Sequence, residues 1–331
     1  MKPDPTRVAQ ANNVVSPSPE AILRAVELLR RGQVVGLPTE TVYGLAADGL
    51  NPAALARIFE IKQRPLFDPL ILHFADADAA FALAAQAPSA ARELAKRFWP
   101  GPLTLVLKKK ETVPDLATSG LPNVALRVPA HPVAQALLRA FAGPLAAPSA
   151  NRFGRISPTD AQAVQSELGE AVPLILDGGP CSVGLESTVL FLAEGRPTLL
   201  RAGGIPLEEI EALVGPVQHA TPVDDRPLAP GQLKHHYAPR KPLRLVGSAA
   251  EIPLQPDIGW LAFGKHPASA FPGVMKNLSP SGDLREAAAN FFRALRTLDD
   301  DPRVSTLYAM ALPPHGLGLA INERLERAAS R

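Results

Sequence analysis

Apolar positions recur at two periods along the chain. In 18-SPEAILRAVELLRRG-32, Ile22, Val26 and Leu29 share one helical face. Ser18 and Pro19 suit the helix start, and Gly32 suits its end. A second helix reads 51-NPAALARIFEIKQRP-65, capped by Asn51 and stopped by Pro65, with Leu55, Ile58 and Phe59 on its apolar side. Short apolar runs bounded by Pro and Gly predict strands at 33–37, 69–74, 103–108, 124–128, 173–176, 188–192 and 198–201. A further short strand is expected to end at Pro148, and helical patterns lie near 88–98, 132–141 and 158–168. Strands interleaved with helices at irregular spacing predict an α/β domain on one twisted, mixed, open sheet with flanking helices.

The pattern lapses after about residue 215. Residues 216–241 are rich in Pro and charge and read as a linker. Beyond it, strand-like runs at 243–246, 258–263 and 304–310 accompany an amphipathic helix over 283–300 and a last helix near 318–329. In the amphipathic helix Leu284, Ala288, Phe291, Leu295 and Leu298 share a side. This predicts a smaller Rossmann-like C-terminal domain. The expected division is 1–215, a linker over 216–241, and 242–331.

Composition narrows the class. An apolar fraction of 46% with 20% charged residues fits a globular chain of 331 residues. A formal charge of +2 is too mild to require a nucleic-acid partner. One cysteine, Cys181, excludes an internal disulfide and a Cys-based zinc cluster, and reads as a small buried apolar residue. The N-terminal stretch has no apolar core of a signal peptide, and no apolar run is long enough to span a membrane, so a cytoplasmic location is expected.

The common phosphate loops, a zinc-protease helix motif and a nucleophile elbow are all missing from the sequence. Chemistry must come from scattered polar groups. Lys62 and Arg64 stand where the second helix ends, in 62-KQRP-65; the helix dipole alone favours cations there, yet both can point off the end into a cleft and meet polyphosphate. His73 and Arg127 interrupt apolar strands. His73 alone reads as a half-buried core histidine, whereas Arg127 must be paired or line a cavity. In 145-LAAPSANRFGRISPT-159, Ser149, Asn151 and Ser157 form an anion-friendly loop, or Ser157 merely caps a helix. The clusters 177-DGGPCSVGLESTV-189 and 200-LRAGGI-205 add Ser187 and Arg201.

Taken together, PTETVYGL, IKQRP, PLILH, WPGPLTLVL, RVPAHP, APSAN, SPT, GLESTV and LRAGG resemble the YrdC/Sua5 family, whose members are threonylcarbamoyl-AMP synthases. PGQLKHHYAP and GLAINERLERAA resemble its long, two-domain Sua5 branch, and the likeness spans about residues 18–329. The resemblance implies synthesis of L-threonylcarbamoyladenylate and pyrophosphate from L-threonine, bicarbonate (or CO2) and ATP, supplying N6-threonylcarbamoyladenosine in tRNA through other, downstream transfer proteins. It implies an ATP side of Lys62, Arg64, Asp68, Asn123, Ser149, Asn151, Ser157, Arg201 and Tyr237, with Lys62 and Arg64 as the catalytic cations. It implies a threonine side of Thr39, His73, Arg127, Ser187 and the carbonyl near Ala147. Mg2+ is expected on the nucleotide rather than in a protein cage. Tyr237 resembles a gate residue closing over the site. Tyr43 and Gly44 are expected to shape a turn, and Glu40 to brace the cationic pocket. Asp68 stands where a neutral residue is common, so it contacts magnesium or points away. Two other readings remain open here: an RNA-binding module, since tRNA contact suits a cationic concave face, and a carbamoyl-transfer maturation enzyme, whose zinc modules the single cysteine cannot build.

Overall fold

The computed structural model describes residues 13–220, 227–228, 236–266 and 271–330. The tail 1–12 and the linker positions 221–226 and 229–235 lie outside the described residues.

Among the described residues eleven strands form the first sheet: β1 Val14–Val15, β2 Val35–Leu37, β3 Gly44–Asp48, β4 Ile71–His73, β5 Leu103–Lys108, β6 Asn123–Arg127, β7 Leu145–Ala146, β8 Ile175–Leu176, β9 Thr188–Phe191, β10 Thr198–Arg201 and β11 Gln218–His219. Their order is β1-β8-β2-β3-β7-β4-β6-β5-β9-β10-β11, with parallel and antiparallel neighbours mixed. The expected mixed sheet is thus the observed one. Strand β3 escapes the periodicity because both its faces are covered: Leu45, Ala46 and Ala47 are all buried, so nothing alternates.

The second sheet contains β12 Leu243–Val246, β13 Ile258–Ala262, β14 Val274–Asn277 and β15 Thr306–Met310, all parallel, in the order β12-β15-β13-β14. The helix Leu284–Asp300 buries Ala288, Phe291, Leu295 and Leu298 as its pattern requires. This is the smaller α/β domain expected from the sequence.

The helix Leu284–Asp300 packs against residues of the first unit. Gly184 lies with φ 73° against the helix Leu284–Asp300, where an added Cβ would stand 2.4 Å from the Ala288 carbonyl oxygen. Only glycine fits such an approach. Arg296 of that helix donates through Nη2 to the Ile156 carbonyl at 2.7 Å and through Nη1 to Glu167 at 2.8 Å.

Candidate functional site

The helix Pro52–Lys62 begins at Asn51, whose side chain accepts from the Ala53 and Ala54 amides. Gln63 ends it in the left-handed region, and Lys62 and Arg64 leave it in different directions. Lys62 is buried and gives its ammonium to the carbonyls of Ser149 and Asn151, the latter at 2.6 Å. Burial and the neighbouring Arg64 charge push it well below the ordinary lysine range. Arg64 pairs with Asp68 at 2.9 Å and also donates to the Asp68 and Pro69 carbonyls. Asp68 is therefore the counter-ion of Arg64.

The stretch 39–44 is a buried turn. Thr39 Oγ1 donates to the Val42 carbonyl at 2.6 Å and accepts from the Thr41 and Val42 amides. Its hydroxyl is spent inside the loop, and Thr41 lines the cavity instead. Tyr43 accepts from the Gly178 amide and donates to the Gly179 carbonyl, tying this turn to the glycine-rich loop. Gly44 bridges to Ser149. Glu40 receives Arg127 Nη2 at 2.7 Å and the Ala130 amide at 3.0 Å, so it braces that arginine.

Register brings His73 and Arg127 side by side, since they are paired positions of the parallel strands β4 and β6. Ile71, two residues before His73, shares its face. His73 is buried with Nδ1 3.2 Å from the Ile71 carbonyl; burial and then the Arg127 charge bring its pKa down to about 3, so the ring is neutral.

Arg201, at the end of β10, donates through Nη2 to the Ser187 carbonyl at 2.9 Å and to its hydroxyl at 3.3 Å. Ser187 in turn shares a 2.7 Å hydrogen bond with Thr104. Gly203 permits this folding, because a Cβ there would stand 2.3 Å from the Ser187 carbonyl carbon. Ser157 does not cap a helix. It donates to Glu186 Oε1 at 2.6 Å, and the following helix, Ala161–Leu168, is capped by Asp160.

These groups meet in a cavity of about 40 Å³ lined by Thr41, Val42, Arg64, Ile71, His73, Arg127, Ala147, Pro148, Ser149, Glu186, Ser187, Arg201, His236 and Tyr237. That volume holds only a few waters. Tyr237 is fully buried, with φ 66°, an uncommon backbone state for a bulky residue that the surrounding packing must hold. Its ring contacts His236 at 4.1 Å and Phe292 at 5.5 Å between centroids. Ala238 donates to the Gly154 carbonyl, and Asp299 accepts from the Arg240 and Lys241 amides, so this strip is fixed at both domains.

Of the residues expected from the sequence, Arg64, His73, Arg127, Ala147, Ser149, Ser187, Arg201 and Tyr237 line the cavity. Lys62, Asn151 and Ser157 support it from behind; Asn151 Nδ2 is spent on the Arg152 and Arg155 carbonyls. Asn123 does not join them. It begins β6, four residues before Arg127, or about 13 Å along a strand. Sequence reasoning missed Glu186 and Arg324. Arg324, on the C-terminal helix Leu317–Ala329, pairs with Glu186 Oε2 at 2.8 Å, and its guanidinium lies 5.4 Å from the Tyr237 ring centre. The signal was present in INERLERAA: one arginine on the buried face of a helix, beside Ala320, Ile321 and Leu325.

The family model for the Sua5/YciO/YrdC domain, described as telomere recombination, matches residues 27–203. A second, described as the threonylcarbamoyl-AMP synthase C-terminal domain, matches residues 205–330. The chain is 41% identical to the threonylcarbamoyl-AMP synthase of Bacillus subtilis over 321 residues, covering 93% of this chain and 92% of that one. It is 42% identical to that of Pyrococcus abyssi over 317 residues, 92% of each. The crystal structure of P. abyssi Sua5 complexed with L-threonine is similar with a TM-score of 0.86 at 40% identity, covering 93% of this chain and 94% of that one. Two domain models in tandem and near full-length relatives at this identity place the chain in the Sua5/YrdC family of threonylcarbamoyl-AMP synthases, in its two-domain form.

Proposed function

We infer that this chain makes L-threonylcarbamoyladenylate and pyrophosphate from L-threonine, bicarbonate (or CO2) and ATP, and that the cavity is where it does so. One observation carries the assignment of the site. One cavity is lined both by Arg127 beside a neutral His73 and by Arg64, Ser149 and Arg201. The first pair suits an amino-acid carboxylate, and the second group suits a triphosphate.

The reaction needs no enzyme nucleophile. Threonine amine and bicarbonate give a carbamate and water. A carbamate oxygen then forms a bond to the α-phosphorus of ATP while the bond to the β-phosphate bridging oxygen breaks, and pyrophosphate leaves. The protein must position the reactants, neutralise phosphate charge and keep water out. In this reading Arg127, held by Glu40, takes the threonine carboxylate; the Ala147 carbonyl takes its amine; Thr41 and Ser187 border the amino acid. Arg64, Ser149 and Arg201 take the phosphates, and Lys62 holds the 149–151 loop until nucleotide draws it away. Tyr237 and His236 occupy the cavity as a lid that must lift for ATP and close over the adenylate. The linker thus joins the catalytic unit, residues 1–215, to the C-terminal unit, residues 242–331, by way of the active site.

Mg2+ fits this chain as part of its substrate. Among the described residues no group of three His, Cys, Asp or Glu side chains could hold a metal, and Asp68 and Glu186 are each paired with arginine. In this reading the ion enters on the nucleotide phosphates. No helix among the described residues is long and apolar enough to cross a membrane. In this reading the product passes to tRNA-modifying proteins in the cytoplasm.

The assignment of the two sides is tested by kinetics of pyrophosphate release. Arg127→Ala should raise the KM for threonine at least about tenfold with a smaller effect on that for ATP, and Arg64→Ala should do the reverse. Equal losses for both substrates in both variants would refute the division of the cavity.

A further inference from the structure

Arg324 is wholly buried although it belongs to the C-terminal domain. Nε donates to Glu186 Oε2 at 2.8 Å, and Nη1 donates to the Ala202 and Ala320 carbonyls, each at 2.9 Å. Glu186 Oε1 accepts from Ser157 Oγ at 2.6 Å. The same carboxylate lines the cavity beside Arg64, Ser149 and Arg201. One anion therefore stands among groups whose chemistry suits another anion. Uncompensated, it would repel a triphosphate, and its burial would favour a protonated, re-oriented acid.

We infer that Arg324 is a positioning residue through which the C-terminal domain completes the nucleotide site: its guanidinium cancels the Glu186 charge and fixes that carboxylate as the acceptor for Ser157, so that polyphosphate meets a net cationic wall. The inference rests on the function proposed above and assigns the C-terminal domain a part in it. Burial alone would raise the Glu186 pKa, yet Arg324, then Arg201, then the Ser157 hydrogen bond bring it down to about 2. His236 and Tyr237 are the other titratable groups facing it. The Arg324 guanidinium also lies 5.4 Å from the Tyr237 ring centre.

The test uses the full chain and pyrophosphate release, with ATP varied at saturating threonine and bicarbonate, on variants shown to be folded by thermal melting. Arg324→Gln should raise the KM for ATP by about tenfold or more and lower kcat less. Glu186→Gln combined with Arg324→Gln should return that KM to within about threefold of the wild-type value. Comparing Glu186→Gln with the double variant keeps the test informative even if Arg324→Gln alone does not fold: without the carboxylate, losing Arg324 should add no further rise in KM. A folded Arg324→Gln with unchanged ATP dependence overturns the inference. So does a double variant no better than Arg324→Gln, or a further KM rise on removing Arg324 from the Glu186→Gln background. Failure of the wild-type chain to release pyrophosphate with threonine would instead remove the underlying function.

Discussion

Glu40 separates a structural reading of the PTETVYGL motif from a catalytic one. Glu40 is 7% exposed, its partner Arg127 4%, and they meet at 2.7 Å; the second carboxylate oxygen accepts the Ala130 amide. Glu40→Ala leaves a buried guanidinium without its counter-ion, and breaking such a pair costs about 3–5 kcal/mol. At about 2 °C per kcal/mol for a chain of this size, the melting temperature should fall by about 6–10 °C. Arg127 loses its orientation too, so the KM for threonine should rise while that for ATP changes little. Glu40→Gln keeps an acceptor for Ala130 and should fall between. A general base would behave otherwise, with kcat falling about 10²–10⁴-fold in Glu40→Gln and stability hardly changed. Thermal melts and threonine titrations of both variants decide it. A Glu40→Ala protein melting within about 1 °C of the wild type would refute the bracing argument.

Two further predictions follow from burial. His73 and His236, ordinarily near 6.5, are each brought down to about 3 and are neutral in the fold, so unfolding below about pH 6.5 takes up protons. Stability should fall from pH 6.5 toward 3, by at most about 1.4 kcal/mol per pH unit for each histidine. Urea unfolding at pH 7, 6 and 5 measures that slope, His73→Asn should remove about half of it, and an unaltered slope would contradict the assignment. Tyr237→Ala opens the cavity to water and should reduce the adenylate recovered per pyrophosphate released; unchanged yield and product lifetime would remove the lid.

What the sequence could and could not disclose follows from the range of the interactions. Caps and amphipathic faces are local, so Ser18, Asn51 and the apolar stripe of the helix Leu284–Asp300 were legible from spacing alone. Arg127 was legible as a cavity residue because an arginine among Val124, Ala125, Leu126 and Val128 requires a partner. That Thr41, not the expected Thr39, lines the cavity was not legible. Both hydroxyls sit two residues apart in one turn, and only the turn geometry turns the first inward. Asp68 was expected to contact magnesium or to point away; it pairs with Arg64 and is not among the residues lining the cavity, a tertiary placement that spacing does not encode. Asn123 shares a strand with Arg127 but lies at its opposite end, a separation that motif order does not encode. Glu186 and Arg324 are 138 residues apart, and no periodicity links them. Their pairing is visible only once the domains are packed.

The synthase activity is tested by pyrophosphate release from ATP with purified protein and magnesium, with threonine and bicarbonate each present or withheld, and serine set against threonine. Release should require both threonine and bicarbonate and be weaker with serine. Release independent of threonine, or none from a folded protein that binds ATP, would contradict it.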